Sequence, residues 1–286
     1  MNTIKYIFQF IFIILFFIIF KIIGLKFSRY IASKIFVIFG PTFRSKKIIN
    51  ENISRAFPNI DNIEKKKIIK NMWSYYGKIL AEYVYIKRFN SSNVNHLVEL
   101  EGKEVLNKVR LNSKPVIFIS GHFDNFELMA MQIEKSGVDL ATIYRPLNNQ
   151  FINPLMENIR KKYICKKQIK KGISGTKEIL RYFKNGTSIA LMIDQRVSEG
   201  ERSIFFGKEA LTTTIPAQFV KKYKCQIVPV YIERKENDKF KCKIFEPIEF
   251  KDNENLRTIT LHLNKIIEKM ILKNPDQWIW SHDRWK

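Results

Sequence analysis

The chain has 286 residues, 45% of them hydrophobic, and 50 basic against 27 acidic side chains for a formal charge of +23. That is ample for a large core, and three cysteines (Cys165, Cys225, Cys242) exclude a full disulfide framework, lack metal-ligand spacing and fit a reducing compartment. The charge attracts anionic partners, but Ile, Lys and Asn crowd every region, as from an AT-rich genome, so the excess alone is discounted as functional evidence.

Residues Tyr6 to Phe20 are apolar except for Gln9, and Ile22 to Leu25 continue the run beyond Lys21. Spanning a bilayer takes about 20 mostly apolar residues, a length Tyr6 to Leu25 meets when Lys21 snorkels toward the interface. Phe10 to Phe20 is apolar all round, unlike one face of a core helix. No convincing small-x-small cleavage site follows, so residues 1–25 read as a retained anchor. Lys21, Lys26, Arg29 and Lys34 outnumber Lys5 on the other flank, and the positive-inside bias puts the body of the chain in the cytoplasm. A helix lying in the interface is the alternative. Ala32 to Phe39 is a second apolar stretch, ended by Gly40-Pro41. It reads as resting on the membrane, with Arg44, Lys46 and Lys47 facing head groups at roughly 1 kcal/mol each.

Asn50 to Tyr85 reads as two helices broken at Phe57 to Asn59, with Asp61 as an N-cap and Glu64 three residues on. Met72, Trp73, Tyr76, Ile79 and Tyr83 recur at helical spacing and read as a core or membrane-facing stripe. From His96 onward short strands alternate with helices. His96 to Leu100 is a strand and Lys103 to Arg110 a helix. Val116 to Ile119, between Pro115 and Gly121, has the composition of a buried strand. A helical pattern starts near Asn125. Strands follow at Asp139 to Tyr144, Ser188 to Ile193, Ile227 to Ile232 and Phe240 to Phe245. Helices follow at Asn153 to Tyr163, Thr176 to Phe183, from Pro216 in a first turn, and at Leu256 to Leu272. Ile204 to Gly207 is short and apolar, and the tail from Gln277 to Trp285 holds three of the four tryptophans. No repeat, low-complexity linker or second domain is evident, so residues 26–286 read as one α/β domain with a mixed sheet flanked by helices.

Three strand ends carry polar residues: His122 with Glu127, Arg145, and Asp194 with Arg196. Ligands of open α/β sheets bind outside the carboxyl ends of strands, so one crevice gathers these groups, and Arg160 on the next helix joins them. His122 and Glu127 are five residues apart, which is not a same-face helical pair. The turn itself has to bring them together as a base and its orienting partner. The bland alternative makes His122 a helix cap or core residue. Glycine-rich loops of the Walker or dinucleotide type and metal signatures are missing, so no cofactor or metal is expected.

These motifs together resemble the bacterial lipid A late acyltransferases, the lauroyl/myristoyl transferases of lipopolysaccharide biosynthesis, within the glycerolipid acyltransferases that carry a His-x4-Asp/Glu motif. The resemblance covers nearly the whole chain. It takes in the apolar amino-terminal helix, Arg55 to Pro58, Gly121-His122 through Glu127, Tyr144 to Pro146 and Asp194-Gln195. Phe206-Gly207, Thr212 to Thr214, Val228 to Val230 and Gln277 to Trp285 continue it. It implies a glycerolipid acyltransferase-like fold, His122 as base, Glu127 as its support, and Arg145, Arg160 and Asp194 as substrate-binding positions. It also implies a lipid A precursor as acceptor, acyl carrier protein as donor and the cytoplasmic face of the inner membrane as location. The family often carries a second acidic residue two positions after the aspartate; here that position is Arg196.

The chemistry agrees with these residue types. Acyl transfer from a thioester to a hydroxyl needs a base for the hydroxyl proton, and histidine titrates near neutrality. The thioester is already activated, so direct attack by the hydroxyl needs no covalent enzyme intermediate. Backbone N–H groups or Arg145 are candidates to stabilise the oxyanion. Lys161, Lys162, Lys166, Lys167, Lys170 and Lys171 cluster beyond Arg160, either as a dock for an acidic carrier or as a solvated run. A cysteine acyl-enzyme lacks a cysteine near His122. Nucleic-acid binding explains the charge but not the apolar helix or the His122 turn, so no nucleic acid is expected. A basic membrane-bound binding protein has no use for the dyad. The enzymatic alternative is a related acyltransferase acting on another membrane glycolipid or phospholipid.

Overall fold

The computed structural model of the chain describes residues 2–91, 97–112 and 114–286. Helix α1 spans Asn2–Phe43 but is broken at Gly24, whose φ of 82° and ψ of 160° lie outside the helical region. A positive φ of this kind favours glycine. The break frees the Phe20 carbonyl, which accepts from Ser28 Oγ (2.8 Å) and Tyr85 Oη (2.5 Å). Residues 2–23 therefore form a helix of about 33 Å at 1.5 Å per residue, close to the bilayer hydrocarbon thickness. The helix is long and apolar enough to cross a membrane. Phe8, Phe12, Leu15 and Ile22 point outward from it. After the break the helix continues through Gly40 and Pro41 to Phe43, four residues past the end expected at Phe39.

Helix α2 (Lys46–Ala56) leads to α3 (Asn62–Val84), which starts where expected. Asp61 Oδ1 accepts from the amides of Ile63 and Glu64, each at 2.7 Å, satisfying two orphan donors of the first turn. Helix α3 packs along the second half of α1. Gly77 permits this approach, because a Cβ there would stand 2.2 Å from the Ala32 carbonyl oxygen. The short α4 (Ile86–Asn90) follows.

The rest is the α/β layer. In chain order come β1 (Val98–Glu101), α5 (Lys103–Leu111), β2 (Ile117–Ser120), α6 (Glu127–Lys135), β3 (Leu140–Tyr144), α7 (Ile152–Tyr163), β4 (Lys167–Lys170), α8 (Ile173–Lys184) and β5 (Ser188–Met192). The hairpin β6 (Glu201–Phe205) and β7 (Lys208–Thr212), α9 (Ile215–Tyr223), β8 (Ile227–Arg234), β9 (Phe240–Ile244) and α10 (Leu256–Lys273) complete it. His96, expected to open the first strand, lies outside the described residues. The main sheet has the order β1-β9-β8-β2-β5-β3-β4. Among the described residues of this sheet the β8–β9 pair is the antiparallel one, so the sheet is mixed as expected. Strands β2 and β8 are buried along their whole length, which explains why both read as continuous apolar runs. Strand β4 was not anticipated: its Lys-Gln-Ile-Lys sequence buries only Ile169, and edge strands carry little hydrophobic pattern.

Candidate active site

Strand register explains the centre of the crevice. Strands β2 and β5 run parallel with Ser120 opposite Met192. His122 and Asp194 each lie two residues beyond those partners, so they leave the sheet side by side, about one strand spacing apart. Gly121 lets the two loops close, since a Cβ there would lie 3.2 Å from Asp194 Cβ. Asp194 Oδ1 is 2.8 Å from His122 Nδ1, and Oδ2 accepts from the His122 backbone N–H at 2.9 Å and from Trp278 Nε1 at 2.8 Å. An ionised carboxylate only accepts, so the ring carries its proton on Nδ1 and Nε2 is the basic nitrogen. The imidazole also packs edge-on against Phe126, with centroids 4.9 Å apart.

The contact expected between His122 and Glu127 is replaced by this one. Glu127 opens α6 on the far side of the turn and faces α7 and α3. Its Oε1 accepts from Arg160 Nε (2.8 Å), Arg160 Nη2 (2.6 Å) and the Tyr83 hydroxyl. Arg160 Nη2 also reaches the Tyr83 oxygen at 3.2 Å. Asp194, expected on the substrate, has a fully buried side chain whose oxygens are taken by His122 and Trp278. The place of Tyr83 in an aromatic stripe at helical spacing conceals this polar role in the sequence.

The charges respond to this geometry. Burial lowers the His122 pKa, but the charge and hydrogen bond of Asp194, helped by Glu127, outweigh it and raise the ring above its ordinary 6.5. Burial raises Asp194, yet the charge and bonds of His122, with the bond from Trp278, hold it below the usual carboxylate value. All three cysteines are buried, and burial pushes the Cys225 and Cys242 thiols up to about 12, so neither is a poised nucleophile.

A cavity of about 220 Å³ opens between β2, β5 and β3 on one side and α6 and α7 on the other. Ile119, Met129, Ile133, Ala190 and Leu191 make its lining mostly apolar, and His122, Glu127, Arg145 and Arg160 are among its polar groups, with Ser120, Thr142, Tyr144 and Gln168. Arg145 is exposed there. The structure thus gathers four expected site residues around one cavity and sets the fifth, Asp194, behind the histidine.

The turn between His122 and Glu127 is itself clamped. Asp124 has a positive φ of 34° and accepts from Arg234 Nε (3.0 Å) and Nη2 (2.6 Å). Arg234 also binds Glu82 on α3 at 2.6 and 3.1 Å, and Glu82 accepts from Asn125 Nδ2 (2.8 Å) and Arg29 Nε of α1 (2.7 Å). A buried ion network therefore links the apolar helix to the turn.

A family model for bacterial lipid A biosynthesis acyltransferases matches residues 1–286. The chain belongs to that family. The lipid A biosynthesis lauroyltransferase of Escherichia coli (strain K12) is 25% identical over 251 residues, 85% of this chain and 79% of the relative. The palmitoleoyltransferase of the same organism is 24% identical over 248 residues, with 85% and 79% covered. Its myristoyltransferase is 19% identical over 244 residues, with 84% and 74% covered. Among solved structures, the 1-acyl-sn-glycerophosphate acyltransferase of Thermotoga maritima aligns with 89% of this chain and 96% of its own, at a TM-score of 0.40 and 16% identity. Membership in the lipid A acyltransferase family agrees with the motif set from the apolar helix to the tryptophan-rich tail.

Proposed function

We propose that this acyltransferase moves a fatty acyl chain from acyl carrier protein to a hydroxyl of a lipid A precursor, with His122 as the general base. The observation that carries the reading is the His122 ring, held on buried Asp194 through Nδ1 while the same histidine lines an apolar cavity. His122 Nε2 takes the acceptor hydroxyl proton as the oxygen attacks the thioester carbonyl carbon. Asp194 fixes the tautomer and stabilises the imidazolium that forms. The tetrahedral intermediate collapses, the C–S bond breaks, and the imidazolium returns the proton to the departing thiolate sulfur. Arg145, exposed beside the cavity, is placed to meet the oxyanion. The apolar lining receives the acyl chain, in keeping with the lauroyl, palmitoleoyl and myristoyl groups named for the relatives. Glu127, Arg160 and Tyr83 form a hydrogen-bonded wall, and the Glu127 charge adds to the basicity of His122.

Residues 1–25 anchor the enzyme at the cytoplasmic face of the inner membrane, and residues 26–286 form the acyltransferase domain. Lys161, Lys162, Lys166 and Lys171 are exposed beyond Arg160 and suit an acidic carrier. Lys167 and Lys170 are instead paired with Asp139 and Glu157. The test is transfer by purified protein from acyl carrier thioesters of several lengths to lipid A precursor, read by mass spectrometry. The expected product gains one acyl group, with release of the carrier thiol. Acylation of phospholipid alone, or no transfer from any thioester, would overturn the reading.

A further inference from the structure

The carboxy-terminal segment lies across three strand ends. The Gln277 carbonyl accepts from the Asp124 amide at 2.8 Å. Its side chain accepts from Arg234 N at 2.7 Å and donates to Arg234 O at 3.0 Å. Trp278 bridges antiparallel to Phe123, and its indole reaches Asp194. One short stretch thus ties the end of β8, the turn after β2 and the loop after β5. Trp278 is 2% exposed and packs edge to face on Trp280, with centroids 4.6 Å apart.

We propose that Trp278 is a positioning residue for acyl transfer: its indole N–H locks the Asp194 carboxylate in the orientation that receives the His122 ring proton. This rests on the reading of His122 as the base. Two donors, the Trp278 indole and the His122 amide, hold Oδ2 and leave Oδ1 aimed at Nδ1. The backbone donor alone is a single pivot about which the carboxylate can turn away from the ring. The indole is rigid and enclosed by packing, so it adds a second fixed point. A hydrogen bond to a charged group is worth about tenfold to a hundredfold in an equilibrium.

The test is a double-mutant cycle. Trp278→Phe should lower kcat about tenfold or more with KM little changed. In an Asp194→Asn background the same substitution should cost less than about twofold, because residues acting through one another are non-additive. Trp285→Phe is the control: it removes a bond to the Phe205 carbonyl (3.1 Å) in the same tail and should leave kcat and the cycle unchanged. Equal losses in both backgrounds would make Trp278 a packing residue and overturn the proposal. A second readout uses the unaltered chain labelled at its four tryptophans. One indole N–H resonance, assigned by its loss in Trp278→Phe, should shift with the same pH midpoint as kcat; four flat resonances would also overturn it. Normal turnover by Asp194→Asn alone would also overturn the proposal; if instead His122→Ala turns over normally, the His122 reading fails, while the indole titration still reports whether Trp278 is bonded to the Asp194–His122 pair.

Discussion

Arg234→Met removes the central cation of the buried network beneath the catalytic turn. Arg234 is 3% exposed at its side chain, and the carboxylates of Glu82 and Asp124 are fully buried. Methionine keeps much of the aliphatic volume over the Phe240 ring, 4.4 Å below the guanidinium. The loss is therefore electrostatic. Glu82 retains Arg29 and Asn125, whereas Asp124 loses both guanidinium bonds and keeps the Asn125 amide. Removing one partner of a buried pair costs about 3–5 kcal/mol, since the remaining charge is left uncompensated. Adding Asp124→Asn should then recover about 1 kcal/mol or more, by neutralising the group left alone. At Asp124 burial outweighs Arg234 and leaves the carboxyl above its usual value, so the pH sense is taken from Glu82: burial raises its pKa, but Arg234 and Arg29 outweigh it and hold it below 4.5. Its contribution is present above the unfolded pKa and lost as pH falls through the folded value, so the deficit of Arg234→Met should narrow in acid. The assay is denaturant unfolding of detergent-solubilised protein followed by tryptophan fluorescence. A cost below about 1 kcal/mol, or a double variant no more stable than Arg234→Met, would refute the reasoning.

Other outcomes follow from the site. The rate should rise with pH as His122 loses its proton, with a midpoint above 6.5 because Asp194 favours the charged ring. Asp194→Asn should lower kcat by about 10²-fold or more and move the midpoint down; an unmoved midpoint would detach Asp194 from the titration. Deleting residues 1–25 should release much of the protein from membranes. It should also lower activity several-fold in detergent, because Asn149 then loses the Tyr6 carbonyl (2.9 Å) and Tyr85 the Phe20 carbonyl. Wholly membrane-bound protein after carbonate washing would place the anchor elsewhere. Reversing Lys161, Lys162, Lys166 and Lys171 should lower kcat/KM for the carrier-bound donor and flatten its salt dependence; an unchanged salt response would leave these lysines as plain surface.

Much of the crevice was legible because its residues sit just past strand ends, where polar groups interrupt apolar runs. His122, Arg145 and Asp194 each stand out in this way. What the sequence could not reveal was which carboxylate meets the ring. Glu127 is five residues away and Asp194 is 72 away, yet the β2–β5 register brings the distant one into contact. The pattern of one strand does not say which strand lies beside it, and here β2 pairs with the sequence-distant β5. The hairpin β6–β7 was half seen, as Ile204 to Gly207, because its exposed Glu201, Arg202, Lys208 and Glu209 dilute the apolar signal. The ion network left a faint trace: Glu82 is a lone acid in the apolar, aromatic part of α3, and Arg234 ends a fully buried strand. Trp278 was visible as part of a tryptophan-rich tail, but its donor role appears only where the tail crosses the strand ends.

The most direct test of the central claim is turnover by His122→Ala in a folded, membrane-attached preparation, with acyl carrier thioester and lipid A precursor as substrates. A positioned base contributes about 10²–10⁴-fold, so transfer should fall by that order while unfolding and membrane attachment match the parent. Near-normal turnover would contradict the account, and the cavity would then be a binding site whose chemistry is done by another group.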